Sequence, residues 1–493
     1  MGSSKSLAEL AKAVQGSVIG ISETRVHDIT HDSRQAGPGT LFVAISGADR
    51  DGHDFVDQAA RAGSEAVCVE RRVSTDVNQL VVGNTRKVLG KLAAEVHGHP
   101  SGTVDVIGVT GTNGKTTVTH YTESLLGLAG FRTGIIGTIA TRIGDESLPS
   151  VRTTPEASDF QRLLARMRDA GVAKAAVEVS SHALDLHRVD GTRFAVAAFT
   201  NLSQDHLDFH GTMEDYRSAK ARLFRDFEIG TAVFNVDDET GHDLAAGYSG
   251  EKLTVGRGGD FEAVAVESVP AGTEFQMVTP DGVFSSSAGV HGRFNVSNLM
   301  VAIAGSVAAG APVGGLIEHL GDIGPVPGRF EIVSREGEPT VVVDYAHTPD
   351  GIAMAVATGR EMASGKLIAV FGAGGDRDRA KRPLMGGAAS AADVLVVTSD
   401  NPRSEDPERI IDDVMEGVTT GSTRQSDRRK AIAEAIGMAG PGDVVLILGK
   451  GHEASQEIAG EVLPFDDREI ARESLNLLWK STNNRSDSGS MGP

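Results

Sequence analysis

An apolar run, Val104–Val109, ends in Thr110-Gly111-Thr112-Asn113-Gly114-Lys115-Thr116-Thr117, and a helical pattern follows from Val118 to Gly130. Few architectures accept that order. A buried strand that stops at glycines and restarts as a helix aims backbone N–H groups and a helix N-terminus at one point, which makes a cradle for phosphate. A plain strand-to-helix turn is a poor explanation, because Gly114-Lys115-Thr116-Thr117 at a helix start serves no packing purpose. In such a cradle Lys115 reaches the β- and γ-phosphates and the Thr116 hydroxyl ligates Mg²⁺. The common GxxxxGK[ST] spacing is not met, since its first glycine position holds Val109 and Gly108 comes one residue early.

The same alternation of apolar runs with helical patterns extends along the chain. Ala175–Val179, Phe194–Phe199 and Ala232–Asn235 read as buried strands, as do Thr340–Val343, Leu367–Phe371, Val394–Thr398 and Val444–Leu448. Such spacing implies largely parallel sheets covered by helices. A more β-like stretch, Lys252–Val290, precedes a helix starting near Asn295. The length of 493 residues suggests about three domains. Punctuation at His99-Pro100-Ser101-Gly102 and at Gly324-Pro325-Val326-Pro327-Gly328 divides them. The expectation is α/β throughout: a smaller N-terminal α/β domain (1–98), a central domain with a mostly parallel sheet of P-loop ATPase type (99–328) and a C-terminal Rossmann-like, doubly wound sheet (329–480). The polar, Ser/Asn/Gly-rich end, 481–493, reads as a disordered tail, and Met1-Gly2-Ser3-Ser4-Lys5-Ser6 as a disordered leader.

Composition narrows the functions open to such a fold. A formal net charge of −20 argues against a nucleic-acid surface, which needs a basic footprint, while leaving room for phosphorylated small molecules. Cys68 is the only cysteine, so there is no intrachain disulfide and no thiolate metal cluster, which suits a reducing cytoplasm. The longest apolar runs, such as Val444–Leu448, are strand-length and fall well short of the ~20 residues of a membrane span. The expectation is a monomeric cytoplasmic enzyme that acts on small molecules, with no nucleic-acid or membrane partner.

Glu178 closes the strand in Val177-Glu178-Val179-Ser180-Ser181-His182, at the carboxyl end where ligands bind in open α/β sheets. The next strand leads to Asn201-Leu202-Ser203-Gln204-Asp205-His206-Leu207-Asp208-Phe209-His210. Alone, that cluster suggests a zinc hydrolase. Against this, His206 and His210 do not lie in an HExxH helix, and no second ligand set of that kind is present.

The stretch Gly111-Thr112-Asn113-Gly114-Lys115-Thr116-Thr117 resembles the loop of the Mur ligase family and its folylpolyglutamate synthase relatives, and the likeness extends over nearly the whole chain. The resemblance implies an ATP-dependent, ADP-forming amide ligase of peptidoglycan precursor synthesis. It implies that Glu178 and Thr116 hold the Mg²⁺ that rides on the ATP phosphates, and that His206 helps to hold a second Mg²⁺. It implies that Lys220, in Tyr216-Arg217-Ser218-Ala219-Lys220, carries a CO₂-derived carbamate; on its own that residue is an ordinary helix lysine. A carbamate is anionic and attracts metal ions that an ammonium would repel. Lys115, Glu178, His206 and Lys220 are thus the expected catalytic set.

Other carry-overs follow the same resemblance. Asp32-Ser33-Arg34 and the Leu41–Gly47 strand match a uridine-binding domain, with Ser33 the clearest contact; His31 stands where the pattern varies. Arg152-Thr153-Thr154-Pro155 resembles the loop that grips the muramoyl peptide, and Ser180 and Arg188 match further contacts, Arg188 toward a substrate carboxylate. Leu186 replaces a glutamine found in some relatives. Asn295 resembles the adenine contact, and Arg329 and Asp344 the residues that close over ATP.

Three loops of the last domain follow strands: Gly374-Gly375-Asp376-Arg377-Asp378, Asp400-Asn401-Pro402-Arg403 and Gly449-Lys450-Gly451-His452-Glu453. All should gather at the carboxyl edge of one sheet. A dinucleotide fingerprint from Gly372-Ala373-Gly374 is excluded because its sixth position is Arg377. The Asp400–Arg403 motif resembles the family's marker for diaminopimelate, which the L-lysine-adding relatives vary. The implied reaction adds meso-diaminopimelate to the D-glutamyl carboxylate of UDP-N-acetylmuramoyl-L-alanyl-D-glutamate, with Gly449 part of the pocket. The second amino-acid head of diaminopimelate carries a carboxylate suited to the guanidinium forks of Arg403 and Arg377, and an ammonium suited to Glu453. The alternatives are the L-lysine-adding ligase, folylpolyglutamate synthase, and a regulatory module that hydrolyses ATP without ligation. Arg403 speaks against the first and the uridine-domain match against the second.

Overall fold

The computed structural model describes residues 4–47, 50–150 and 152–486. Near the N-terminus five strands form a sheet in the order Ser17–Ile19, Asn78–Val81, Ala66–Val69, Thr40–Val43, Asp28–Thr30, parallel apart from the Ser17–Ile19 edge. Alternating side chains serve its two faces. Leu41, Val43, Ala66 and Cys68 pack under the helices Leu7–Val14 and Thr85–Val96, while Phe42, Val67 and Val69 pack against Val56 and Ala59. Lys5–Ser6 is not a disordered leader: it pairs with Arg25–Val26, and Ser6 opens the first helix through a capping box with Glu9. That reciprocal cap satisfies two helix-start donors and anchors a stretch whose composition alone suggests no order. Met1–Ser3 lie outside the described residues.

The central sheet has eight strands in the order Glu146–Leu148, Thr141–Ile143, Thr133–Ile136, Lys174–Glu178, Asp105–Thr110, Phe194–Phe199, Ile229–Asn235, Lys252–Val255. From Thr133–Ile136 onward all pairs are parallel; the hairpin Thr141–Leu148 adds an antiparallel edge. Asp105–Thr110 lies between Lys174–Glu178 and Phe194–Phe199. The chain leaves it toward one side and returns to the other, so the crevice beside its carboxyl end is a topological switch point. The stretch read as β-like, Lys252–Val290, divides: Lys252–Val255 joins this sheet, and Glu262–Val269, Gly272–Thr279 and Gly282–Ala288 form a separate three-stranded one.

The last sheet runs Glu331–Ile332, Thr340–Asp344, Val444–Leu448, Leu367–Phe371, Val394–Thr398, Ser422–Gln425, antiparallel only at the first pair. It is doubly wound. Val342, Ala369, Leu395 and Leu446 face the helices Pro349–Met362, Lys381–Ala389 and Pro407–Met415. Val341, Ile368, Val396 and Val445 face Arg428–Met438 and Asp467–Ser486. The final helix continues to Ser486, so 481–486 do not form the disordered tail expected of them: the backbone ladder of an amphipathic helix carries on through polar residues. Residues 487–493 lie outside the described ones.

Two compact units partition the chain. One holds the chain up to Asn201 with Arg217–Glu262 and Leu299–His319; the other holds Leu202–Tyr216, Ala263–Asn298 and the chain from Leu320 onward. Among the described residues no helix is long and apolar enough to cross a membrane.

Candidate active site

The phosphate loop leaves the strand Asp105–Thr110 and enters the helix Lys115–Leu128, three residues earlier than the apolar pattern indicates. Gly111 has φ 151° and Gly114 φ 85°, and a Cβ on Gly111 would stand 1.8 Å from Thr200 Oγ1. Only glycine fits there. The neighbouring strand end clamps the loop: Thr112 N donates to Asn201 O at 2.8 Å, Asn113 N to Asn201 Oδ1 at 2.9 Å, and Thr200 Oγ1 to Asn113 O at 2.6 Å. Lys115 Nζ folds over the loop and donates to the carbonyls of Gly111 and Thr112, each at 2.9 Å. Thr117, in the first helical turn, is buried.

Glu178 sits at the adjoining strand end and is buried. Its carboxylate accepts from Thr116 Oγ1 at 2.9 Å, Thr138 N at 2.7 Å and Thr138 Oγ1 at 3.2 Å. A Cβ on Gly137 would stand 2.4 Å from Glu178 Oε1, so that glycine makes room for the carboxylate. Thr138 was not foreseen from sequence, although Gly137-Thr138 follows a strand as Gly111-Thr112 does. Lys220, on the helix Met213–Arg225, is 1% exposed and donates to Gly111 O at 2.6 Å. The structure therefore gathers Lys115, Thr116, Glu178 and Lys220 around one loop. An oxygen pair such as Thr116 and Glu178 suits a hard divalent cation.

Next to these lies the Arg152–Pro155 loop. Thr153 Oγ1 meets Thr138 Oγ1 at 2.9 Å, and Thr154 Oγ1 donates to Glu178 O at 2.8 Å. Ser180 caps the helix Ser181–Asp185 by accepting from Ala183 N at 3.1 Å. Arg188, expected to face a substrate carboxylate, donates from Nε to Glu156 Oε1 at 3.0 Å. Ser33 is buried and donates to Gln58 Oε1 at 3.1 Å; His31 Nδ1 meets Ser158 Oγ at 2.8 Å.

His206 belongs to the second compact unit. It takes a left-handed conformation (φ 56°), and its ring Nε2 lies 3.4 Å from Asp205 Oδ2. His347 Nε2 approaches the same carboxylate at 3.6 Å, and the buried Lys381 Nζ donates to Asp205 Oδ1 at 3.2 Å. Burial alone would push the Asp205 carboxyl up; the His347 hydrogen bond and the charges of His347, His206 and Lys381 hold it well below the carboxylate range. No sequence signal marks Lys381, which looks like any helix lysine. Among the described residues no group of three or more His, Cys, Asp and Glu side chains forms a metal-binding cluster. In the same unit the Arg329 guanidinium lies 4.4 Å over the Tyr345 ring. Asp344 accepts from Phe330 N at 2.6 Å and Ala346 N at 2.8 Å; burial pushes its carboxyl up, against the pull of Arg329 and those N–H groups. Asn295 is buried, and its Nδ2 donates to His291 O at 3.1 Å.

The three expected loops do meet at the carboxyl edge of the last sheet. A Cβ on Gly449 would stand 2.5 Å from Asp400 Oδ2, and one on Gly375 would stand 1.9 Å from Pro402 O. Arg403, held at φ 51°, donates to Gly375 O at 2.6 Å, and Asn401 Nδ2 donates to Glu453 Oε2 at 2.8 Å. Arg377 is exposed on its loop. Beneath them the fully buried Arg428–Asp467 pair, 2.6 Å apart, pins the strand ends: Arg428 donates to Ser399 O at 3.3 Å and Leu448 O at 3.0 Å, the residues just before Asp400 and Gly449.

One unit thus carries a phosphate loop at a sheet switch point, and the other carries a parallel sheet whose edge presents Arg403 and Glu453. The Mur ligase middle domain matches residues 109–305, the Mur ligase glutamate ligase domain 328–451, and the Mur ligase family catalytic domain 25–97. The chain belongs to the Mur ligase family. Among its relatives, the UDP-N-acetylmuramoyl-L-alanyl-D-glutamate–2,6-diaminopimelate ligase of Aquifex aeolicus is 46% identical over 454 residues, 92% of this chain and 94% of the relative. The Streptomyces coelicolor protein of the same name is 44% identical over 488 residues, 95% and 96% of the two chains. A solved structure with that name aligns at TM-score 0.69 and 33% identity, covering 96% of this chain and 99% of the other. MurF from Acinetobacter baumannii shares the fold at TM-score 0.69 and 22% identity, covering 91% and 96%.

Proposed function

We propose that this chain is an ATP-dependent, ADP-forming ligase that joins meso-diaminopimelate to the D-glutamyl carboxylate of UDP-N-acetylmuramoyl-L-alanyl-D-glutamate, in peptidoglycan precursor synthesis. The observation that carries the substrate assignment is the convergence of Arg403, Asn401 and Glu453 at one sheet edge, the pairing of charges that a zwitterionic distal head requires. Identities of 41–46% to diaminopimelate ligases over most of the chain support it.

The D-glutamyl carboxylate has no good leaving group, so ATP first phosphorylates it to an acyl phosphate. The Gly111–Thr117 loop cradles the phosphates, and Lys115 swings from its carbonyl partners to the transferred phosphoryl group, countering charge that builds there. Asn295, Arg329 and Asp344 contact ATP. Thr116 and Glu178 fit a Mg²⁺ ion, which when bound draws negative charge from the phosphates. As an ammonium Lys220 does not fit beside a second cation, but as a carbamate it does, and with His206 it would complete a second Mg²⁺ site. Ser33 holds the uridine end; Thr153, Thr154, Ser180 and Arg188 hold the muramoyl peptide, Arg188 by exchanging Glu156 for a substrate carboxylate. Arg377 and Arg403 take the distal carboxylate of diaminopimelate, Glu453 its ammonium, and Asp400, Asn401, Pro402 and Gly449 shape the pocket. The free amine then attacks the acyl phosphate, phosphate leaves, and no protein nucleophile is needed. On this reading residues 1–98, 99–328 and 329–480 serve the nucleotide sugar, ATP and the amino acid, in a cytoplasmic monomer.

Phosphate release tests the reaction class. It should require the UDP-muramoyl dipeptide and diaminopimelate together; release without either substrate would make the chain an ATPase module instead.

A further inference from the structure

Lys450 is fully buried, and no step above uses it. Its Nζ donates to Glu453 Oε2 at 2.9 Å and to Asn401 Oδ1 at 3.1 Å. Asn401 Oδ1 also accepts from Glu457 N at 3.0 Å, which fixes the amide so that Nδ2 reaches Glu453 Oε2 at 2.8 Å. One oxygen of Glu453 is thus engaged twice. The other takes no hydrogen bond from the described residues, and the side chain stays 30% exposed. A buried ammonium is expensive unless paired and hydrogen-bonded, and a loop lysine has the length to reach water. Here it lies under the loop instead.

We infer that Lys450 is a positioning and specificity-determining residue: it holds Glu453 by one oxygen, presents the other to the distal ammonium of the amino acid, and favours a zwitterionic distal head over a bare ammonium. The inference rests on the proposed roles of Glu453 and Arg403. An ammonium that arrives with its own carboxylate brings no net charge, and the carboxylate is drawn to Arg403. A bare ammonium, as in L-lysine, adds one more positive charge beside Lys450 and Arg403, whose carboxylate partners Glu453 and Glu457 are already engaged, and brings no carboxylate of its own to balance it.

The test is steady-state kinetics of Lys450→Met, which keeps the stem and removes the charge. KM for diaminopimelate should rise roughly tenfold or more, with kcat changed less than about threefold. KM for ATP and for the UDP-muramoyl dipeptide should hold, and the kcat/KM preference for diaminopimelate over L-lysine should narrow about tenfold. In a Glu453→Gln background the same substitution should alter KM by less than about twofold, because the group it positions is gone. Lys450→Gln, which can still donate to Glu453, serves if Lys450→Met does not fold, and predicts the same loss of preference with a smaller rise in KM. An unchanged KM for diaminopimelate, a parallel loss for all three substrates, or an equal effect without Glu453 would overturn the inference alone. Wild type that fails to add diaminopimelate would overturn the proposed function and this inference with it.

Discussion

The phosphate loop and the amino-acid loops occupy equivalent places, each at the carboxyl edge of a parallel sheet, yet they are built from different material. The first is one contiguous stretch, Gly111–Thr117, shaped by glycine backbone and held through its own main-chain groups, which bond to Asn201 O, Asn201 Oδ1 and Thr200 Oγ1. The second joins three stretches far apart in the chain, held by side chains: Asn401 to Glu453, Lys450 beneath both, and Arg428 across two strand ends. Arg382 adds a further tie, and its hydrogen bonds hold the Glu405 carboxyl down to about 2. The difference matches the ligands proposed for them. A triphosphate needs donors, which any backbone can supply, and one positive charge, which Lys115 adds, whereas one amino acid among many must be distinguished by side-chain charge placed at several fixed points.

That contrast predicts effects of different size and kind. Lys115→Ala removes the one side-chain charge in a backbone-built loop, so the fold and melting temperature should hold while ligation falls on the order of 10³-fold; normal turnover would break the phosphate-loop assignment. Lys220→Ala should cost on the order of 10²-fold, with short-chain acids in solution restoring part of the activity by standing in for the carbamate. A mass measurement showing an unmodified lysine in active enzyme would contradict that role. Arg403→Ala should lower kcat/KM for diaminopimelate roughly tenfold to a few hundred-fold, leave KM for ATP alone, and narrow the preference over L-lysine without creating a good lysine enzyme, because Arg377 remains. If Arg403→Ala depressed ATP and amino-acid use alike, the two sites would not be separable as described.

Both sheets were largely legible in the sequence because buried parallel strands are continuous apolar runs. Phe194–Phe199, Leu367–Phe371, Val394–Thr398 and Val444–Leu448 occur with the bounds their composition indicates. Ser422–Gln425 was not legible: a polar edge strand with half its positions exposed carries no apolar run. The hairpin Thr141–Leu148 was missed for a similar reason, since its strands are three residues each. The phosphate loop was legible as a motif, and Glu178 as a carboxylate at a strand end. Thr138, Lys381 and the pairing of Lys450 with Asn401 and Glu453 were not, because each acts through a neighbour that only the folded chain supplies. Arg188 shows the limit of transfer by resemblance: its position was foreseen, but not its pairing with Glu156.

The most direct test of the central claim is kcat/KM of the wild-type enzyme for meso-diaminopimelate and for L-lysine, at saturating ATP and UDP-muramoyl dipeptide. The account predicts efficient addition of diaminopimelate and a preference over L-lysine approaching ~10⁴, because lysine brings no distal carboxylate for the half-buried Arg403 guanidinium, whose Nε stands 3.6 Å from Glu457 Oε2. Equal use of the two amino acids, or addition of L-lysine alone, would contradict it.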